Sequence, residues 1–190
     1  MNSKKNKILD LNTLHDGIPA LSSGKAEMLK ETCIWCLDEC NHDNGVKIQA
    51  KNGKTDDQLP ICWEDKLIDK ETIKRTYNRE DAVEYGAEAL SFLLIRECTK
   101  YTAIRRAATG TGIDYWLGSK EITGNNIFSS SDARLEVSGI LKETASNSTQ
   151  KRAKEKLKQT TPTDNTFPVF ISVVEFSQPH AEMVLKDVQS

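Results

Sequence analysis

The sequence predicts an α/β protein with a mixed central sheet flanked by helices. A broad helical pattern from about Asn78 to Cys98 supplies the first reason. The second is a set of short stretches bounded by glycine, Gly110-Thr-Gly-Ile-Asp-Tyr-Trp-Leu-Gly118 and Ala133-Arg-Leu-Glu-Val-Ser-Gly-Ile140, with strand-like alternation. The third is Phe167-Pro-Val-Phe-Ile-Ser-Val-Val-Glu-Phe176, a continuous apolar run between polar segments. Such a run is the signature of a strand covered on both faces.

Length and composition bound the reading. The 190 residues suffice for one sizeable core, and 37% hydrophobic with 28% charged residues fits a globular chain with a polar surface. A net charge of −2 gives no global pull toward nucleic acid, so any basic surface must be local. No apolar run approaches the roughly 20 residues that span a bilayer. The start, Met1-Asn-Ser-Lys-Lys-Asn-Lys7, is basic with no apolar segment behind it, so no secretory signal is expected. Five cysteines are an odd number and too sparse for a disulfide scaffold, which points to the cytoplasm.

In chain order, residues 1–20 read as a flexible or loosely docked lead-in broken by Gly17 and Pro19. Residues 21–77 read as an N-terminal helix and hairpin extension. Met28, Leu29, Cys33, Cys36, Leu37 and Cys40 share one helical face over Ser23–Cys40. Cys33, Cys36, Cys40 and His42 match no common zinc spacing, and small buried core residues are the favoured reading. Val46, Ile48 and Ala50 alternate with polar residues, Asn52-Gly53 begins the connection, and Pro60 suggests an edge strand. A short helix is expected around Lys70–Lys74.

Residues 78–190 read as the α/β core. Asn78 caps the long helix, with Glu80 and Asp81 in its first turn. Tyr101–Ala107 is expected to be a strand, followed by strands at Ile113–Leu117 and Ala133–Ile140. A charged helix starts at Asn147 or Ser148, runs to about Gln159 with Ala153 and Leu157 facing inward, and is ended by Pro162. The strand over 167–176 follows, and Ala181–Val188 is read as a short closing helix.

Asp114 and Glu136 are carboxylates in otherwise apolar strands, a costly placement unless they are paired or metal-bound. Strand parity turns both away from the face of Leu135 and Val137, so they can meet at the sheet surface. Arg105, Arg106 or Arg134 are alternative pairing partners.

The order helix, strand, strand, strand, helix, strand from residue 78, with Gly112-Ile-Asp114 and Glu136-Val-Ser138 on consecutive strands, resembles the core of the PD-(D/E)xK nuclease superfamily. The resemblance covers roughly the last 110 residues. It implies a restriction-endonuclease-like fold and metal-dependent cleavage of DNA, in bacterial defence or repair. It implies a catalytic set of Asp114, Glu136, Ser138 and Glu97, with Mg²⁺ or Mn²⁺ on Asp114 and Glu136. Ser138 stands where the family has lysine and cannot supply its charge; Lys142, Lys151 and Lys154 are candidates to replace it. Beside such a site, Lys151, Arg152, Lys154 and Lys158 would contact phosphates. The alternative is a non-catalytic subunit that uses the fold to bind a partner protein or nucleic acid, with Tyr115, Trp116 and Phe128 as interface residues.

Overall fold

The computed structural model describes residues 7–53, 55–64, 69–121, 131–160 and 167–188. Among them are four α-helices: α1 (Ser23–Glu39), α2 (Lys70–Thr76), α3 (Arg79–Cys98) and α4 (Thr149–Gln159). The strands are β1 (Leu9–Asp10), β2 (Lys47–Asn52), β3 (Thr55–Cys62), β4 (Tyr101–Arg106), β5 (Tyr115–Ser119), β6 (Ala133–Ile140), β7 (Val169–Glu175) and β8 (His180–Lys186). They form one mixed sheet in the order β1-β3-β2-β8-β7-β6-β5-β4. No helix among the described residues is long and apolar enough to cross a membrane.

Each helix begins where a side chain can take a free backbone N–H. Ser22 accepts from Lys25, Asp69 from Glu71 and Thr72, Asn78 from Asp81, and Ser148 from Lys151. The phenylalanine and leucine run of α3 is buried almost all round because α1 covers one side and the sheet the other.

Alternation sorts the strand residues between two faces. Leu135 and Val137 of β6, Tyr115 and Leu117 of β5, and Phe170 and Val174 of β7 join the large core with α1 and α3. Ile140, Val169, Ile171 and Val173 pack instead with Ala153 of α4. Both faces are covered, so β6 and β7 are buried along their whole length. β6 and β7 are parallel, joined by the α4 crossover, while β4, β5 and β6 form an antiparallel meander.

Two sequence expectations are corrected. The segment 1–20 is expected to be flexible or loosely docked; residues 1–6 lie outside the described residues, but from residue 7 on the chain is firmly docked. Leu9, Leu11, Leu14 and Ile18 are at most 2% exposed. β1 pairs in parallel with β3, and Arg96 of α3 donates to the Thr13 and Asp16 carbonyls at 2.7 and 2.8 Å. The apolar positions follow neither a helical nor a strand period, so pattern does not reveal them. Their burial nonetheless stabilises by about 1.5–3 kcal/mol per side chain.

The closing helix expected over Ala181–Val188 is instead strand β8. It pairs antiparallel with β7 and parallel with β2, and these two ladders override the helix preference of Ala, Glu, Met and Leu. Pro60 lies in β3, next to the edge; the pairing of β3 with β1 begins one residue later, at Ile61. Pro162 and Phe128 lie outside the described residues.

The β7–β8 turn is held by a carboxylate clasp. Glu175, 1% exposed, accepts hydrogen bonds from the backbone N–H groups of Ser177, Gln178 and Glu143. His180 Nδ1 lies 3.5 Å from Glu175, and its Nε2 lies 3.1 Å from the Thr149 hydroxyl at the start of α4. The bond to Glu175 raises the imidazole to about 9. A folded pKa above the unfolded one stabilises the fold fully below the unfolded value of about 6.5, and the contribution fades as pH rises through about 9. His180→Ala is therefore expected to cost about 2 kcal/mol at pH near 6 and clearly less above pH 9. The side chain is 27% exposed, which keeps this below the full value of the shift. Urea denaturation at the two pH values measures the difference, and a pH-independent cost would refute the ion pair's role.

Candidate active site

The site lies where β5 leaves β6. Their pairing covers only Tyr115–Leu117 against Ala133–Leu135, extended at one end by a bond from Asp114 N–H to the Leu135 carbonyl and at the other by one from Asp132 N–H to the Leu117 carbonyl, each at 2.9 Å. Beyond Leu135, β6 has β7 on one side and, among the described residues, no paired strand on the other. Backbone N–H groups on an unpaired edge need acceptors. Asp114 Oδ2 accepts from Val137 N–H at 2.9 Å, and Glu84 Oε2, from α3, accepts from Gly139 N–H at 3.1 Å. Two carboxylates thus take the places of the missing strand.

The predicted pair, Asp114 and Glu136, does come together. The Asp114 charge bears directly on the Glu136 carboxyl. Both line a cavity of about 280 Å³ bounded by Arg106 and the 107–113 loop, which gives the pair access to solvent. Glu136 is 5% exposed, and burial pushes its carboxyl up to about 7. The Asp114 charge pushes the same way, while Lys156 of α4, with Nζ 2.6 Å from Glu136 Oε1, opposes both. Burial and its neighbour's charge thus bias Glu136 toward holding a proton near neutral pH.

Ser138, expected beside them, lies on the same strand face. Its hydroxyl donates to Glu84 Oε1 at 3.2 Å and accepts from Arg152 Nη1 at 3.2 Å. Burial raises the Glu84 carboxyl, against the opposing charges of Lys156 and Arg152. The Asp114 loop is held against the end of α4 through Gly112. At φ +70° a Cβ there would lie 2.1 Å from the Gln159 carbonyl oxygen, so only glycine permits the approach.

Glu97 is not part of this arrangement. It pairs with Arg96 at 2.9 Å and lines another cavity with Lys7 and Asp10. It lies thirteen helical steps from Glu84, roughly 20 Å along the axis. Of the α3 carboxylates, Glu84 reaches β6, and Glu88 accepts from the Tyr115 hydroxyl at 3.2 Å beside Lys25 and Arg106. The candidate replacement lysines also lie elsewhere. Lys142 and Lys154 are exposed, and Lys151 donates to the Ala145 carbonyl at 2.6 Å. Lys156, which sequence reasoning missed, is the lysine that reaches Glu136.

Of the proposed phosphate contacts, Lys151, Lys154 and Lys158 are exposed. Arg152 instead turns inward, to Ser138 and to Asn147 Oδ1 at 2.9 Å. The three arginines expected as alternative partners for the carboxylates are otherwise engaged. Arg134 is 1% exposed and donates to the Phe167 carbonyl, Arg105 lies over the Trp116 ring, and Arg106 pairs with Glu88. Tyr115 is a core residue packed edge-on against Phe92 at 4.8 Å, so it offers no interface; Trp116 is half-buried against Phe167. Cys33 and Cys36 are buried free thiols raised by burial, as a core role requires.

Among the described residues, no group of three or more His, Cys, Asp or Glu side chains is placed to hold a metal ion. No protein-family model matches the chain, and neither a curated protein nor a solved structure matches it.

Proposed function

We propose that the chain is a metal-dependent nuclease that cleaves DNA phosphodiesters at the Asp114–Glu136 pair. The observation that carries this reading is a pair of carboxyl groups, Asp114 and Glu136, lining one solvent-reached cavity with one ammonium, Lys156, 2.6 Å from Glu136. The element order α3, β4, β5, β6, α4, β7 supports a restriction-endonuclease-like core.

The donor set fits Mg²⁺ or Mn²⁺ in a particular way. Mg²⁺ is commonly held by one or two carboxylates, with waters and substrate phosphate filling the shell, so two protein carboxylates suffice. The excess negative charge that a proton now relieves is what a divalent cation would take up. When bound, such a cation supplies charge for the phosphoryl oxygens and lowers the pKa of water. The protein's part is positional. Asp114 is fixed by Val137 N–H, Glu136 must give up its proton, and Lys156 brings the positive charge that Ser138 lacks.

A second reading draws on the same contact. Lys156 already balances Glu136, which also suits a non-catalytic subunit that keeps the fold for binding a partner protein or nucleic acid. Plasmid and linear DNA cleavage with Mg²⁺ or Mn²⁺ separates the two. Asp114→Ala and Glu136→Ala are each expected to reduce cleavage about 10³-fold or more. Absence of cleavage by the folded chain, or equal cleavage by all three proteins, would favour the subunit.

A further inference from the structure

Arg106, the last residue of β4, lines the cavity that holds Asp114 and Glu136, and among the described residues it is the only cation that does so. Its side chain is 62% exposed. One nitrogen fixes it: Nη1 donates to the Tyr115 hydroxyl at 3.2 Å and lies 3.7 Å from Glu88 Oε1. Nε and Nη2 have no partner among the described residues. The guanidinium is anchored at one corner and keeps its other donors open.

Neutralising Glu88 does not require Arg106. Lys25 Nζ lies 2.9 Å from Glu88 Oε2, and the Tyr115 hydroxyl donates to the same oxygen at 3.2 Å. Two cations thus face one carboxylate, and the cluster carries one positive charge in excess. Arg106 is its exposed end. Burial works against the guanidinium charge, but Tyr115, Glu88 and Asp114 together hold it above its ordinary value. A DNA strand that reaches Asp114 and Glu136 brings phosphate charge to a space lined by two carboxyl groups, and that repulsion must be offset beside them. A guanidinium suits the task. It is always charged, it matches phosphate oxygens with parallel N–H donors, and one already held in place loses little freedom on binding. Lys156 is engaged by Glu136 at 2.6 Å.

We propose that Arg106 contacts a backbone phosphate of the DNA strand next to the phosphate that is cut, through the donors that Tyr115 leaves open. This role rests on the nuclease reading of the Asp114–Glu136 pair. Tyr115 and Glu88 are positioning residues, which steady the guanidinium without touching DNA.

Fluorescence anisotropy of a labelled DNA duplex tests it, with the full chain, both without divalent metal and with Ca²⁺. The parent, Arg106→Gln, Arg106→Lys and Lys47→Gln are titrated over a range of KCl concentrations. Each duplex phosphate contact contributes about 0.9 to the slope of log K against log[salt]. Arg106→Gln is expected to reduce the slope by about that amount and the affinity at low salt about tenfold. Arg106→Lys keeps the charge and is expected to keep the slope. Lys47, exposed on β2 and remote from β4 in the sheet, is the control: its loss removes one charge and should leave the slope unchanged. Glu88 retains Lys25 and Tyr115 in Arg106→Gln, so the fold survives, and urea midpoints check this. An arginine that only tied β4 to α3 would lower the midpoint and leave the slope alone. An Arg106→Gln slope equal to the parent's, or a drop matched by Lys47→Gln, overturns the proposal and leaves the nuclease reading to the cleavage assay. A reduced slope without cleavage would keep the phosphate contact and discard the nuclease. A parent that binds no DNA in either condition overturns both.

Discussion

On the nuclease reading proposed above, Lys156→Met is expected to slow metal-dependent DNA cleavage by about 10²–10³-fold, the effect of removing one preorganised charge from a transition state. It is also expected to move the acid limb of the pH–rate profile upward. Glu136 titrates near 7 in the folded protein, so activity that needs its charged form rises with pH through that region. Lys156 favours the charged form from 2.6 Å. Without it, burial and the Asp114 charge act unopposed, and Glu136 holds its proton to higher pH. A residue that only supported α4 would lower the rate without shifting the limb. The exposed Lys154 on the same helix supplies the control, since Lys154→Met should leave the limb in place. An unchanged rate for Lys156→Met, or a loss with no shift in pH dependence, would remove Lys156 from the site.

Gly139→Ala is expected to destabilise the protein by about 3 kcal/mol or more, at the upper end for overpacking. A Cβ at this position would lie 2.4 Å from the Val83 carbonyl oxygen and 2.8 Å from Val83 Cγ1. One side of the clash is the backbone of α3 and the other that of β6, so neither can swing away as a flexible side chain would. Relief requires α3 to lift from the sheet, and this would also pull Glu84 from the Gly139 N–H. Gly24, in α1 with open space where its Cβ would be, is the matched control. Gly24→Ala should be neutral or stabilising by about 0.5–1 kcal/mol, because alanine loses less backbone freedom in a helix. Urea denaturation of both variants decides the point. A Gly139→Ala midpoint close to the parent's would mean that the contact between α3 and β6 is looser than 2.4 Å implies.

Periodicity carried much of the architecture. The cap Asn78, a cap at Asn147 or Ser148, the breadth of the 79–98 helix and the apolar run into β7 were all legible, because each reflects only local sequence. The lead-in and β8 were not. Leu9, Leu11, Leu14 and Ile18 have no period of their own, and β8 is a strand only because β7 and β2 flank it. Neither fact is local.

The site divides along the same line. Alternation along two strands placed Asp114 and Glu136 on one face from the sequence alone. Lys156 was within reach of the same arithmetic. It stands beside Leu157 and four residues after Arg152, on the inward side marked by Ala153 and Leu157. The more exposed Lys151 and Lys154 drew attention instead. Glu84 carried no such signal. Its choice over Glu97 depends on where α3 crosses β6, which Gly139 sets by permitting backbone contact. The sequence by itself determined which residues could face one another. The divergence of β5 from β6 and the crossing of α3 decided which of them meet, because side-chain direction is written in the local backbone while distance between elements is settled only by packing.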